Sequence, residues 1–251
     1  MLVVNSLRGA HSTGLAGVCS RKENEKEDVG LIKAINSPYY LFDWPKADEF
    51  FRRVMSSYDV LIGHGRYATR GAINADNAHP FEEGHITLVH NGGITNFYQL
   101  KDNTLDKDVE VDSHLVARLI ERDGWETTLP KLRGAYALVW YDSRDGSLHF
   151  ARNKDRPMSI AKLGKRDVII YASESATLNW AADRYGFTIE SMLNTEPFTH
   201  YVFEKGSIDW VETKYKEVFT VPAADRYGFT IESMLNTEPF THYVFEKGII
   251  S

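Results

Sequence analysis

Short runs of apolar and β-branched residues recur along the first two thirds of the chain, separated by Gly, Asn or charged residues. Such runs predict β-strands. Because the last four runs follow one another closely, we expect them to form an antiparallel meander through short turns such as Arg144-Asp145-Gly146. The eight predicted strands are Gly14–Cys19, Val29–Ile35, Asp59–Ala68, Ile86–His90, Ala135–Tyr141, Ser147–Arg152, Met158–Leu163 and Val168–Ala172.

Two stretches have the period of a helix, Ala47–Met55 and Asp112–Arg122. In the second stretch Leu115 and Leu119 share one face, and Asp112 stands where a side chain commonly caps the first turn. Strands that follow one another, with helices between groups of them, indicate an α+β fold with antiparallel sheets.

One segment occurs twice, letter for letter, at Ala181–Gly206 and at Ala223–Gly248. A solenoid would need at least about three units, and its units would vary, so the two copies do not form a repeat architecture. We expect residues 1–218 to form one domain. Residues 219–251 are expected to form a tail that duplicates 181–206 and is peripheral, frayed or swapped with the first copy.

Composition narrows the possible partners. The 251 residues include 29 Lys and Arg and 35 Asp and Glu, which gives a net charge of -6. Proteins that gain affinity by neutralising phosphates carry a net positive charge, so no nucleic acid is expected as a partner. No apolar run approaches the roughly 18 residues that span a bilayer, so no membrane is expected either. The one cysteine, Cys19, excludes an internal disulfide, and we expect it to pack as a small apolar residue in a cytoplasmic protein.

Three polar motifs each follow a predicted strand and contain the small residues typical of turns. Turns of this kind can direct backbone N–H groups towards a ligand. The motifs are HGRYATRG at 64–71, NAHPF at 77–81 and LVHNGGITN at 88–96.

The side chains of these motifs suit an amino acid as the ligand. Arg66 offers a planar fork for a carboxylate, and Thr69 adds a hydroxyl group. Asn91 and Gly92 offer a side-chain amide and a backbone N–H, a donor pair that suits an oxyanion formed in acyl transfer. Asp112 suits an ammonium group. Together they predict a clamp on both charged ends of an amino acid.

Each of these residues also has a structural interpretation. An Arg after a strand is more often part of a surface ion pair, and Asn-Gly is more often a turn. Asp112 alone is more often a helix cap. No carboxylate or Cys stands at zinc-like spacing to His64, His79 and His90, which are expected to be hydrogen-bonded structural residues. We therefore expect no metal and no cofactor, and only the combination of motifs is specific.

In this combination the sequence resembles the class II glutamine amidotransferases, which are glutaminase domains of the N-terminal-nucleophile (Ntn) hydrolase superfamily. The resemblance is closest to the glutaminase halves of glucosamine-6-phosphate synthases. It implies a four-layer αββα sandwich of two antiparallel sheets, and hydrolysis of the glutamine side-chain amide with ammonia passed to a second site. Besides the three motifs, the matching segments are Ser6–Val18, Val111–His114, Leu132–Asp142 and Ala172–Ala182.

The resemblance also implies a role for each candidate residue. Arg66 is expected to bind the α-carboxylate of L-glutamine, and Asp112 its α-ammonium group. Asn91 and Gly92 are expected to form the oxyanion hole. The other residues expected beside the substrate are Thr69 next to Arg66, Tyr67 in the mobile loop that covers the substrate, and Arg8 in the turn close to the nucleophile.

The family's nucleophile is a Cys at the mature N-terminus, activated by its own α-amine. This chain begins MLVVNSLRG, so we expect the first strand and the nucleophile to be missing, and the chain as written not to hydrolyse glutamine. One hypothesis is a glutaminase whose true start lies upstream and whose ammonia passes to a separate synthase. The alternative is a non-catalytic module on the same fold that binds glutamine or a partner protein. A third hypothesis is an inactive product of genome rearrangement.

Overall fold

The chain divides into two compact units, residues 1–217 and 218–251. In the second unit the described residues form a small antiparallel hairpin. Arg8 and most of the second copy of the duplicated segment lie outside the described residues, and the assignment of a domain and a duplicated tail stays a prediction. The computed structural model describes residues 11–19, 28–42, 45–56, 58–164, 168–205, 207–218, 245–246 and 249–250.

The first unit alternates groups of strands with short helices. Its strands are β1 (Ser12–Cys19), β2 (Asp28–Ala34), β3 (Val60–Arg66), β4 (Phe81–Glu83), β5 (Ile86–Ile94), β6 (Gly134–Asp142), β7 (Ser147–Arg152), β8 (Ser159–Leu163), β9 (Val168–Ala172), β10 (Ile189–Asn194), β11 (Thr199–Phe203) and β12 (Trp210–Lys214). Its helices are α1 (Pro38–Phe42), α2 (Pro45–Ser56), α3 (Phe97–Leu100), α4 (Asp112–Asp123), α5 (Trp125–Thr128) and α6 (Ser175–Tyr185), with a 3₁₀ turn at Leu129–Lys131. The hairpin of the second unit consists of β13 (Phe245–Glu246) and β14 (Ile249–Ile250).

All strand pairs in the described part of the chain are antiparallel. One sheet has the strand order β2-β1-β3, a second has the order β10-β8-β9, and a six-stranded sheet has the order β12-β11-β7-β6-β5-β4. The predicted α+β class with antiparallel sheets is confirmed. The four-layer order and the missing first strand stay predictions.

The six-stranded sheet is buried on both faces, which explains why its central strand β6 is almost continuously apolar. On one face Leu88, Leu138 and Trp140 pack in a cluster with the apolar side of α4. On the other face Val89 and Val139 pack in a cluster with residues of β1, β3 and β8. Alternate residues of one strand therefore enter different cores, as the pleat of a strand requires.

Helix α4 forms where the sequence has apolar residues at helical spacing. Leu115, Val116, Leu119 and Ile120 are buried on the side that faces the six-stranded sheet and α3. The helix ends at Gly124, whose φ of 79° is in the left-handed half of the map that favours glycine. Elsewhere α1 and α2 pack on β1 and β2, and α6 packs on β8 and β9.

The predicted meander of four strands is wrong, because the chain changes sheets after β7. Strands β6 and β7 pair in the six-stranded sheet, whereas β8 and β9 pair in a three-stranded sheet. Between them, Asn153 donates its side-chain N–H to the Gly134 carbonyl at 2.6 Å, and Arg152 donates to Thr195. Pro157 has no N–H for a strand ladder. The hydrogen bonds of Arg152 and Asn153 therefore lead away from a hairpin between β7 and β8.

No helix along the described residues has the length and apolar composition needed to cross a membrane.

Candidate functional site

The described residues enclose a cleft of about 600 Å³ at the ends of β3, β5 and β9. This volume lies within the range of small-molecule sites. The cleft collects residues from nine separate stretches of the chain, including the start of α4 and the connection between β7 and β8. Six of the seven residues predicted to form the site line it: Arg66, Tyr67, Thr69, Asn91, Gly92 and Asp112. The seventh, Arg8, lies outside the described residues.

Arg66 is the last residue of β3 and is 3% exposed. Its Nη1 and Nη2 donate to the carbonyls of Ala72 and Arg70, at 3.3 and 2.5 Å, which fixes the guanidinium against its own loop. These bonds use two of the five N–H donors of an Arg side chain and leave the others for a ligand. Burial lowers the pKa of Arg66, while the Asp112 carboxylate acts in the opposite direction.

Asp112 opens α4 and is 6% exposed. The predicted N-cap role is wrong, since Val111 occupies the cap position and Asp112 is the first helical residue. Its Oδ2 instead accepts a hydrogen bond from the backbone N–H of Ile94 at 2.7 Å. This bond joins the start of α4 to the end of β5 and leaves the other carboxylate oxygen for a cation.

Asn91, Gly92 and Gly93 continue β5 instead of forming a turn, so the turn interpretation of Asn-Gly is wrong here. Gly92 has a φ of 148°, and a Cβ at this position would lie 1.9 Å from the Ala135 carbonyl oxygen. The close pairing with β6 therefore requires a glycine. Asn91 donates from Nδ2 to the Ser173 hydroxyl at 3.0 Å, which holds its side-chain amide at the cleft.

The loop that follows β3 is held by a residue that the sequence interpretation missed. His11 accepts a hydrogen bond at Nδ1 from the Ala68 N–H at 2.9 Å, and its ring stacks on Tyr67 at 4.6 Å. Tyr67 is nevertheless 65% exposed, and Thr69 is exposed as well. Both side chains line the cleft from this loop.

Three histidines border the cleft behind these residues. His90 shares a hydrogen bond of 2.9 Å between its Nδ1 and the Ser113 hydroxyl, as expected of a structural histidine. For His79 that expectation is wrong, because both ring nitrogens are buried with no partner among the described residues; its ring packs 4.1 Å from that of His64. Burial, followed by the neighbouring histidines and Arg66, lowers the pKa of His64 to about 3 and that of His79 well below its ordinary value. Both rings are therefore neutral near neutral pH.

No cysteine is present among the described residues that line the cleft. Cys19 is 8% exposed and ends β1, in agreement with its prediction as a small packed residue. The described hydroxyl groups of the cleft belong to Thr69, Ser113, Tyr67, Tyr171 and Ser173.

Within the described ranges, one group of side chains has the spacing of a metal site: Asp142, Asp145 and His149, away from the cleft. Asp142 is already paired with Arg144 at 2.6 Å. The ring of His149 hydrogen-bonds through Nε2 to the Ser147 hydroxyl, also at 2.6 Å. These contacts satisfy the group without a metal ion.

Two further cleft residues had no role in the sequence interpretation, namely Arg156 and Ser173. Ser173 belongs to a segment that carries the family resemblance, but its hydrogen bond to Asn91 spans 82 residues and has no local signal. Arg156 stands between two predicted strands in an Arg-Pro sequence that reads as an ordinary connection.

Comparisons with known proteins identify the family of the chain. A family model described as a glutamine amidotransferase domain matches residues 48–241. The chain is 34% identical to glutamine–fructose-6-phosphate aminotransferase [isomerizing] of Caulobacter vibrioides, over 62% of this chain and 26% of that protein. It is 31% identical to the protein of the same name from Pyrococcus horikoshii, over 68% of this chain and 29% of that protein. The chain thus spans less than a third of these relatives.

Solved structures show the same fold at lower identity. Glutamine phosphoribosylpyrophosphate amidotransferase from B. subtilis, complexed with ADP and GMP, superposes with a TM-score of 0.58 at 22% identity. The allosteric regulatory enzyme of purine biosynthesis superposes with a TM-score of 0.60 at 23% identity. Each match covers 87% of this chain and 46% of the other.

Proposed function

The chain belongs to the glutamine amidotransferase domain family, and we propose that its cleft binds L-glutamine, with Arg66 on the α-carboxylate and Asp112 on the α-ammonium group. The observation that supports this most is a buried cation and a buried anion that line one cleft, each with hydrogen-bonding capacity left over. A zwitterionic amino acid pairs with both charges at once, and charge-assisted bonds of this kind are the strong ones.

The amide end of the glutamine would then reach Asn91 and Gly92. The Asn91 amide is held by Ser173, and such a fixed donor stabilises the oxyanion that forms when an amide carbonyl is attacked. In a hydrolytic reaction the amide C–N bond breaks, water supplies the hydroxyl group, and the products are glutamate and ammonia. We propose that ammonia passes to a separate synthase when this reaction occurs.

A second candidate is a module that binds glutamine without hydrolysing it. It is favoured by the composition of the described cleft, which contains no cysteine. The serine and tyrosine hydroxyls of the cleft have no strongly basic partner in the described part, since burial keeps the pKa of the neighbouring histidines low. A serine nucleophile needs such a base.

Calorimetry with L-glutamine tests the shared part of both candidates. We expect binding by the wild type, and Asp112→Asn should weaken it at least about tenfold, because the amide keeps an acceptor for the Ile94 N–H but loses the charge. Arg66→Ala should abolish binding. Arg184→Ala, a substitution outside the cleft, is the matched control and should bind as the wild type does.

An enzyme-coupled assay of ammonia release from the same preparations separates the two candidates. Ammonia release that is lost when Asn91 is substituted supports the hydrolytic function. Glutamine binding without ammonia release supports the binding module. A folded wild type that binds no glutamine would contradict both.

A further inference from the structure

A third arginine lines the cleft with no assigned partner. Arg156 lies in the connection between β7 and β8, next to Pro157 and Met158, which also line the cleft. Its Nε is buried and donates to no acceptor, and its guanidinium forms no ion pair with any residue that the structure describes. An unsatisfied buried donor of a charged group is costly, so its presence at a cleft points to a ligand.

The other two arginines of the cleft are already engaged. Arg66 donates to two carbonyls of its own loop. Arg70 lies over the rings of Phe97 and Tyr98, at 4.7 and 5.1 Å from their centres. Arg156 is thus the cleft cation whose charge and donors the described residues leave unused.

Arg156 also acts on a different part of the cleft from Arg66. Burial lowers the pKa of His90, and the arginine that adds to this effect is Arg156. For His64 and His79, the arginine that adds to the effect of burial is Arg66. Ala137 of β6 pairs with Asn91 of β5 on one side and with Arg152 of β7 on the other, so the connection that carries Arg156 leaves the sheet in the row of Asn91, at the amide end of the proposed glutamine site.

The charges of the cleft are therefore unequal. Arg66, Arg70 and Arg156 are cationic, whereas Asp112 is the one carboxylate among its described residues. Glutamine has no net charge, but glutamate carries a second carboxylate at the position of the glutamine amide. A dicarboxylate with one ammonium group matches this distribution better than the neutral amide does.

We propose that Arg156 binds the side-chain carboxylate of an acidic amino acid, so that the cleft takes L-glutamate more tightly than L-glutamine. The proposal rests on the proposed function, since Arg66 and Asp112 hold the α-groups in both cases. Asn91 then donates to the same carboxylate from the side of β5. The domain would accordingly retain the product of glutamine hydrolysis, or act as a binding site for glutamate.

Calorimetry with both amino acids tests the proposal on the whole chain. We expect the wild type to prefer glutamate about 10- to 100-fold, as one charge-assisted contact provides. In Arg156→Gln the preference for glutamate over glutamine should fall to about onefold, with most of the change in the Kd for glutamate, and Arg156→Lys should keep much of the preference. The matched control is Lys154→Gln, an exposed cation of the same connection, which should leave the preference intact.

The outcomes separate the two proposals. Glutamine binding with an equal or weaker affinity for glutamate in the wild type overturns the role of Arg156 and leaves the proposed function standing. An equal preference in the wild type and in Arg156→Gln also overturns it. If neither amino acid binds, both proposals fail.

Discussion

Acid should destabilise the first unit, and a hydrogen-bonded pair of its buried histidines contributes a defined part of the loss. His149 in β7 is 5% exposed and His200 in β11 is 1% exposed, and their rings share a hydrogen bond of 3.0 Å between Nδ1 and Nε2. Burial is the main cause that lowers the pKa of His149 to about 4 and that of His200 to about 3. Trp140 stacks on both rings and excludes water from them.

The size of the effect follows from linkage between protonation and folding. In the unfolded chain a histidine has a pKa near 6.5, so between about pH 6.5 and the lowered folded values the unfolded state binds more protons. Stability is therefore full above about pH 6.5 and is lost as the pH falls. From about pH 7 to about pH 5.5 each histidine costs about 1.3 kcal/mol, and the pair costs about 2.5 kcal/mol.

Urea unfolding followed by tryptophan fluorescence at constant ionic strength measures this loss. Carboxylates with a lowered pKa, such as Asp142, lose their contribution at lower pH, so the comparison above about pH 5.5 excludes their effect. His149→Gln and His200→Gln should each reduce the pH-dependent loss by about 1.3 kcal/mol, and the stability of each variant at about pH 8 serves as its own reference. Equal free energies of unfolding at both pH values in the wild type would refute the reasoning.

Three further substitutions test the backbone and the polar contacts of the cleft. Gly92→Ala should destabilise the protein by more than about 2 kcal/mol, since its Cβ would meet the Ala135 carbonyl, whereas Gly93→Ala has its nearest neighbour 3.9 Å away and should cost much less. Equal melting temperatures for the two variants would contradict the geometry of β5. Ser113→Ala should cost about 1–3 kcal/mol in urea unfolding, because it leaves Nδ1 of His90 buried without a partner, and an unchanged midpoint would show that this contact is dispensable.

The sequence correctly predicted those elements whose residue pattern is compatible with only one type of secondary structure. The bounds of β7 and β9 agree with their predicted ranges, and α4 begins at the predicted residue. The sequence pattern gave a wrong prediction at Asn91-Gly92, a pair that is typical of a turn. A glycine stands there because the Ala135 carbonyl of the neighbouring strand leaves no room for a Cβ. The pattern also failed after Arg152, where Arg152 donates to Thr195 and the Asn153 side chain donates to the Gly134 carbonyl, and the pairing of β7 ends. Both features depend on residues distant in sequence.

The sequence motifs predicted some residues of the site and missed others. Arg66 and Asn91 stand in segments whose combination is specific, so the resemblance indicated them without a structure. Arg156 carries no motif, and only its position in the cleft and its missing partner distinguish it from a surface arginine.

The hydrogen bond between Asn91 and Ser173 has a consequence for how the protein is made. The two residues are 82 positions apart, and at a synthesis rate of about 5–20 residues/s the ribosome adds Ser173 about 4–16 s after Asn91. During that interval β5 can already pair with β6, but the side-chain amide of Asn91 lacks its hydrogen-bond partner Ser173, and the cleft lacks the residues that β9 contributes to its lining. A small ligand therefore cannot assist the early steps of folding, and it begins to stabilise the chain only when most of the first unit has left the ribosome.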